Sequence, residues 1–417
     1  MNAKNLIAIS AVMAAAAAQA GEMEKRGLHF GERLTLRPYV SLSYTYDSNI
    51  DSGKHSKSGS QWVVNPGVNA EYKDDNWEVT GNVYYQYHAY NRYVNQLNSS
   101  TFGESLGLKW KNSARNEKGW GVNLSESFRI IAQDDDMTES GGRGIGRDRK
   151  EGNLDGVVER RLNEYMRLAA LGNFYYLDYD NDVKKYAPLF GWQREVVGGE
   201  VGFAPNGRME IILHGNYQWY KMDDDVVDYY DYGDRKISNK SKGWSLLAGL
   251  GSRADERISY RVLAGWSRFE YGNGAKDCDG FTYQISGKMT VGEEDDMCKL
   301  YALGSSYYQP SEREYASALK VYTASVGINK GFVRAKVGGS LDLAFRKETH
   351  EYSQSSENDY DMNVWTARAR LSYRLNRYLD AYGSLEYQMA ETLGNKVTGH
   401  YYDYDRVRAT LGLRLTY

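Results

Sequence analysis

Proline and cysteine are scarce in this 417-residue chain, at five and two respectively. Two cysteines cannot form the disulfide framework on which small secreted domains depend. Few prolines leave long stretches free to donate backbone N–H groups to ladders. Beyond an apolar run at Leu6–Ala18, no stretch reaches the roughly 20 apolar residues that a membrane helix needs. A surplus of either charge is missing too: 52 Lys+Arg against 55 Asp+Glu leave a net charge of −3. That balance excludes the basic footprint of a nucleic-acid binder, and no motif for one is found.

What is present is 37 Tyr, 43 Gly and 9 Trp, in a chain polar on average. Residues 1–20 read as a secretory signal peptide: Lys4, the apolar run, then Ala18-Gln19-Ala20 as a small-x-small cleavage site. Residues 21–33 are expected to form a short periplasmic lead, too short for a plug, and 34–417 a single domain. From Leu34 onward the chain alternates apolar and polar residues with period two. Leu34, Leu36, Val40, Leu42, Tyr44 and Tyr46 take one face, and Arg33, Thr35, Arg37, Ser41, Ser43 and Thr45 the other. Similar segments run over 61–73, 77–90, 101–111, 119–130, 153–161, 165–177, 192–203, 209–221, 243–252, 257–269, 281–291, 299–308, 318–328, 332–345, 363–374, 378–389 and 404–417. With the first, these make eighteen, each about long enough for a tilted membrane strand.

Tight turns such as Asp74-Asp75-Asn76 and Leu375-Asn376-Arg377 alternate with long polar loops such as 131–152, 222–242 and 346–362. Short periplasmic turns and long external loops characterise outer-membrane barrels. Trp62, Trp77, Trp110, Trp120, Trp219, Trp244, Trp266 and Trp365 fall on the apolar face near segment ends, as an aromatic girdle does. The expected fold is therefore all-β, a transmembrane antiparallel β-barrel of about 18 strands in the bacterial outer membrane. Thr410, Gly412, Leu415 and Tyr417 at the C-terminus resemble the signal read by the β-barrel assembly machinery. Outer-membrane lipid and lipopolysaccharide are the implied surroundings.

Pro38-Tyr39-Val40-Ser41-Leu42-Ser43-Tyr44-Thr45-Tyr46-Asp47-Ser48-Asn49-Ile50 resembles the opening strand of β-barrel porins of the second type. It is similar also to related barrels encoded with exopolysaccharide genes, where a first strand ends in Tyr-Asp-x-Asn. The resemblance implies a porin-like barrel with a saccharide connection.

Eighteen strands enclose an aqueous lumen, and the alternation assigns its lining. Arg334, Lys336, Arg368, Arg370, Arg374, Arg406, Arg408 and Arg414 point inward, and closure brings Arg33 and Arg37 beside them. This basic wall suits small hydrophilic anionic or saccharide solutes, with Tyr39, Tyr378 and Tyr382 as stacking faces. The competing reading is that nearby carboxylates (Asp342, Asp380, Glu386) pair with the arginines and stiffen the wall.

Two features strain the pattern. If Trp110 pairs with Trp120, Glu104 faces Glu126 on the lipid side, a repulsive pair that calls for a bulge, a divalent cation or a homo-oligomer contact. Cys278 and Cys298 are a candidate disulfide in an oxidising compartment, which would fold 272–308 into a loop and reduce the barrel to sixteen strands.

The six histidines (His29, His55, His88, His214, His350, His400) include only two lumen-facing ones, His88 and His214, far apart. With no nucleophile constellation and no metal-ligand spacing, neither an enzyme nor a bound cofactor is expected. An adhesin or receptor acting through loops bearing Asp134-Asp135-Asp136 and Asp223-Asp224-Asp225 is the alternative function, as is a barrel assisting polysaccharide export.

Overall fold

The computed structural model describes residues 27–49, 58–91, 98–111, 119–134, 147–179, 191–205, 208–222, 240–252, 257–272, 277–292, 298–310, 317–331, 336–352, 359–394 and 403–417. Residues 1–20, expected from the sequence to be a signal peptide, lie outside them. A three-residue strand, β1 (Leu28–Phe30), precedes eighteen long ones. The first wall comprises β2 (Leu34–Asp47), β3 (Gly59–Lys73), β4 (Trp77–Tyr90), β5 (Ser99–Lys111), β6 (Gly119–Asp134) and β7 (Arg147–Arg161). It continues through β8 (Met166–Tyr179), β9 (Trp192–Phe203), β10 (Met209–Met222), β11 (Lys240–Ser252), β12 (Ile258–Glu270) and β13 (Cys278–Val291). The rest is β14 (Cys298–Pro310), β15 (Ser317–Lys330), β16 (Val337–Tyr352), β17 (Tyr360–Arg374), β18 (Leu379–Gly394) and β19 (Tyr404–Thr416).

Each strand pairs antiparallel with its sequence neighbour, and β19 pairs with β2 to close the barrel. Eighteen strands form the wall, so the sixteen-strand alternative falls. Its premise falls with it: Cys278 opens β13 at the external end, Cys298 opens β14 at the periplasmic end, and no disulfide joins them.

Closed barrels satisfy every ladder within the sheet, which is why strands can cross lipid at all. The outward face is apolar: Leu411, Leu371, Leu385 and Trp365 are among the most exposed large side chains. The eight outward tryptophans lie at two levels, with Trp77, Trp110 and Trp120 on adjacent strands toward the periplasmic ends and the other five toward the external ends. The ninth, Trp192, faces inward against Tyr220.

Three short periplasmic turns share one device. Asp74 Oδ1 accepts from the Asn76 and Trp77 amides at 2.9 and 2.8 Å. Asn163 Oδ1 does the same for Tyr165 and Met166, and Asn376 Oδ1 for Tyr378 and Leu379. A short Asx side chain thus supplies the acceptor that a tight turn needs. The Trp77 and Asn76 amides hold the Asp74 carboxyl below its ordinary range.

The described part of the segment before β2 is not a free lead. β19 reaches β2 only from Tyr39 to Asp47, and β1 covers the remaining edge at Leu34–Leu36. Gly31, at φ +66°, makes the return between them.

The Trp110–Trp120 register is not formed. Trp110 pairs with Val122 on one side and Trp77 on the other, so Glu104 faces Phe128 and Glu126 faces Leu106. The two carboxylates sit diagonally rather than opposite, which removes the direct repulsion without a bulge.

Tyrosine and glycine abundance has a packing cause. Tyr39 pairs with Gly67, Tyr84 with Gly103, Tyr301 with Gly327 and Tyr382 with Gly412. In each case the ring lies across its glycine: a Cβ on Gly412 would meet the Tyr382 ring at 2.5 Å.

A harder steric limit is at Gly265, where a Cβ would come within 2.0 Å of the Leu246 carbonyl oxygen, a backbone atom that cannot turn aside. Gly265→Ala is expected to cost about 3 kcal/mol, the upper end for overpacking. Gly287→Ala, with nothing within 4 Å, should be neutral. Urea unfolding of both variants in phospholipid vesicles checks this; equal midpoints would refute it.

Candidate functional site: the lumen

The two halves of the interior differ. Along β8–β15 the lumen side is filled in tiers. At the periplasmic end, Arg167 Nη2 donates to Glu210 Oε2 at 3.0 Å and also meets Glu200, which further accepts from Arg261. His214 Nδ1 lies 3.3 Å from Glu200. Interleaved with them, Ile212 between Glu210 and His214 and Leu247 opposite His214 join Leu263 in a fully buried apolar patch. Nearest the outside, Tyr220, Phe269, Tyr271 and Tyr308 pack with Trp192. Of the first tier, alternation had singled out only His214; the two apolar tiers were not expected, because an inward Leu or Phe looks like a break in a polar face.

The other arc, β17–β19 with β2–β7, is open. It borders a cavity of about 730 Å³ lined by six arginines (Arg129, Arg149, Arg370, Arg406, Arg408, Arg414) and a single carboxylate, Asp380. Serine, threonine and tyrosine hydroxyls fill most of the remaining lining. Strand closure puts these side chains together: Arg414 stands beside Ser41 across the seam, and Arg408 beside Asp47.

Most of the expected basic wall is paired. Arg37 Nη1 donates to Glu71 at 2.7 Å, and Arg368 Nε to Glu386 at 2.7 Å. Arg374 lies 3.9 Å from Asp380. Arg406 and Arg408 both donate to Asp47, at distances from 2.6 to 3.1 Å. Arg129 and Arg149, which alternation did not single out, share Glu151.

Among the described residues, Arg370 and Arg414 have no carboxylate within ion-pair distance. The Arg414 guanidinium stacks 4.2 Å above the Tyr39 ring, and its Nε has no hydrogen-bond partner. Arg33 lies in the turn before β2 beside Tyr72 and Asp74, outside the cavity. Lys336 precedes β16 at the periplasmic rim, its carbonyl accepting from Arg374 N at 2.7 Å. Arg334 is outside the described residues.

The expected stacking faces are corrected. Tyr39 is buried between Gly67 and Arg414. Tyr378 sits in the turn before β18 and stacks in parallel on Tyr417, centroids 6.3 Å apart. Tyr382 alone of the three lines the cavity, one face against Gly412. Of the histidines, His88 faces the cavity and its Nδ1 donates to Gln61 Oε1 at 2.8 Å. His350 is not in a loop but in β16, buried and stacked on Tyr360. His400 and residues 135–136 and 223–225 of the acidic loops lie outside the described residues.

A closed eighteen-strand barrel with an apolar belt and tryptophans at both of its borders is an outer-membrane β-barrel. No family model matches the chain, and no curated protein matches it. Several solved structures are similar to it. The siderophore receptor PirA from Pseudomonas aeruginosa matches at 8% identity and a TM-score of 0.40, over 95% of this chain and 81% of its own. A variant of the ferric enterobactin receptor PfeA from the same organism matches at 8% and 0.44, over 95% and 81%. The outer membrane protein OpdK from Pseudomonas aeruginosa matches at 11% and 0.38, over 92% and 99%. At such identities and TM-scores, these likenesses carry nothing about what this barrel does.

Proposed function

We propose that this barrel is a channel for small hydrophilic anions, acidic saccharides among them, passing along the open arc of the lumen. The observation that carries this reading is the cavity with six arginines against one carboxylate. Ion pairs with Asp47 and Glu151 offset part of that charge. Each of these carboxylates is shared by two arginines, so positive charge stays in surplus, with Arg370 and Arg414 outside any ion pair among the described residues. The surrounding hydroxyls exchange hydrogen bonds with a hydrated or polyhydroxylated solute as water does. Low-dielectric walls concentrate the field of such a surface on the path beside it.

The reading agrees with the saccharide connection implied by the resemblance to second-type porins and exopolysaccharide-associated barrels. The same proposal includes a lipopolysaccharide-bearing outer leaflet and assembly through Thr410, Gly412, Leu415 and Tyr417. Catalysis has no part in it. A receptor role is the second reading, favoured by the filled β8–β15 half, which narrows the lumen.

The test is the reversal potential of the purified barrel in a planar bilayer under a KCl gradient. Steady conductance with chloride preferred over potassium is the expected result. Cation preference would refute anion passage, and absence of conductance would favour the receptor reading.

A further inference from the structure

One joint in the wall is built differently from the rest. The β13–β14 ladder has eight residue pairs, from Gln284 with Ser305 to Val291 with Cys298, the shortest among the eighteen wall strands. Above Gln284, β13 continues to Cys278 paired only with β12, and above Ser305, β14 continues to Pro310 paired only with β15. The two strands part over the external part of their length.

The faces show how they part. By period two, Tyr308 lies on the same face of β14 as Ala302 and Gly304, the outward one. Yet Tyr308 is buried in a cluster with Tyr220 and Phe269, which face the lumen. A Cβ on the lumen-facing Gly280 would meet Tyr308 Oη at 2.8 Å and Lys320 Nζ at 3.5 Å. The outer face of upper β14–β15 therefore lies against the inner face of upper β12–β13, as in a lapped joint.

Side chains rather than a ladder fasten it. Tyr271 Oη donates to the Gln309 carbonyl at 3.1 Å. Thr282 Oγ1 donates to the Ser306 carbonyl, and the Tyr283 amide to Ser306 Oγ at 3.2 Å. Lys320 Nζ stands 4.8 Å above the Tyr308 ring.

We propose that this lapped seam parts to let amphipathic molecules move sideways between the lumen and the outer leaflet, their apolar portion passing over the Phe269, Tyr271 and Tyr308 rings. Elsewhere in the wall, opening would strip a run of backbone hydrogen bonds inside lipid, where nothing replaces them. Here it breaks three hydrogen bonds that involve side chains and separates ring faces, and an apolar guest replaces the ring contacts in kind. The proposal goes beyond anion passage and stands or falls independently of it.

Cys278, which faces the lumen and packs on this cluster, is a native reporter. In a Cys298→Ser barrel in phospholipid vesicles, an alkyl-chain maleimide dissolved in the bilayer should modify Cys278. Stapling the seam with an oxidised Thr282→Cys/Ser306→Cys pair should slow that reaction at least tenfold while leaving ion conductance within twofold. Equal labelling with and without the staple, or no labelling without it, would overturn the proposal.

Hydrogen exchange on the unsubstituted chain needs no variant to fold. Amides of Asp279 and Phe281, which point toward β14 as that of Tyr283 does, should exchange at least tenfold faster than those of Ile285 and Gly287. Equal protection would also overturn it.

Discussion

Asp47→Ala is expected to cost the folded barrel about 3–5 kcal/mol, the usual penalty for removing one partner of a buried ion pair. Asp47 is only 5% exposed and Arg406 6%. The carboxylate accepts from Arg406 Nε and Nη2 and from Arg408 Nε, so alanine leaves two guanidiniums of β19 with their shared anion gone. The loss falls where strand pairing is also short: nine pairs join β19 to β2. Asp47→Asn keeps an acceptor but not the charge and should fall between wild type and alanine. Glu71→Ala removes the partner of Arg37 from a pair in which both side chains are more than a third exposed, and should cost no more than about 1 kcal/mol. Urea unfolding in vesicles, followed by tryptophan fluorescence, compares the three. Equal midpoints for Asp47→Ala and Glu71→Ala would show that this carboxylate does not hold the closure.

The same residues show where sequence stopped being informative. Tyr46-Asp47-Ser48-Asn49 was legible as a motif, but its work was not. In the fold, Asn49 Nδ2 donates to the Asp405 carbonyl at 3.2 Å, the Ser48 amide to the Val407 carbonyl at 2.9 Å, and Asp47 binds two arginines. The motif is a clasp between residues 356 to 361 apart in the chain, and periodicity carries no information at that separation. Strand number and facing were legible because a lipid-exposed face leaves a period-two trace at every residue. The external strand ends were not: β7 begins at Arg147 rather than 153, and β16 runs to Tyr352 rather than 345. There the wall rises beyond the apolar belt, both faces become polar, and the alternation fades.

Register between strands was equally hidden. Pairing Trp110 with Trp120 satisfied the girdle, yet Trp110 pairs with Val122, because two-residue slips keep every side chain on its face and only the turn geometry decides among them. The basic wall was half legible. Direction followed from alternation, so Arg370 and Arg408 were found. Partnership depends on register, so nothing in sequence distinguished Arg408, held by Asp47, from Arg414, held over a ring. Arg129 and Arg149 were missed because they stand outside the closure seam in sequence and join it only through the curvature of the wall.

That distinction makes the charge-reversal experiment specific. Replacing Arg370 and Arg414 together with glutamate should invert the ion preference of the channel, from chloride to potassium. The double change moves the lining by four units of charge and, among the described residues, breaks no ion pair. Arg414→Glu also loses its stacking on Tyr39 and faces Asp380 across the ladder, so stability should fall by about 1–2 kcal/mol, too little to prevent assembly. Arg368→Glu with Arg374→Glu is the matched control, carrying the same charge change at guanidiniums that face Glu386 and Asp380. There each reversal turns an existing ion pair into a like-charge contact, at two sites rather than one, so the fold should suffer more. Neither arginine lines the cavity, so selectivity should move less. Reversal potentials in a KCl gradient decide between them. If both double variants shift selectivity equally, preference is set by net charge across the whole lumen. If neither does, solutes do not travel along the Arg370–Arg414 wall at all.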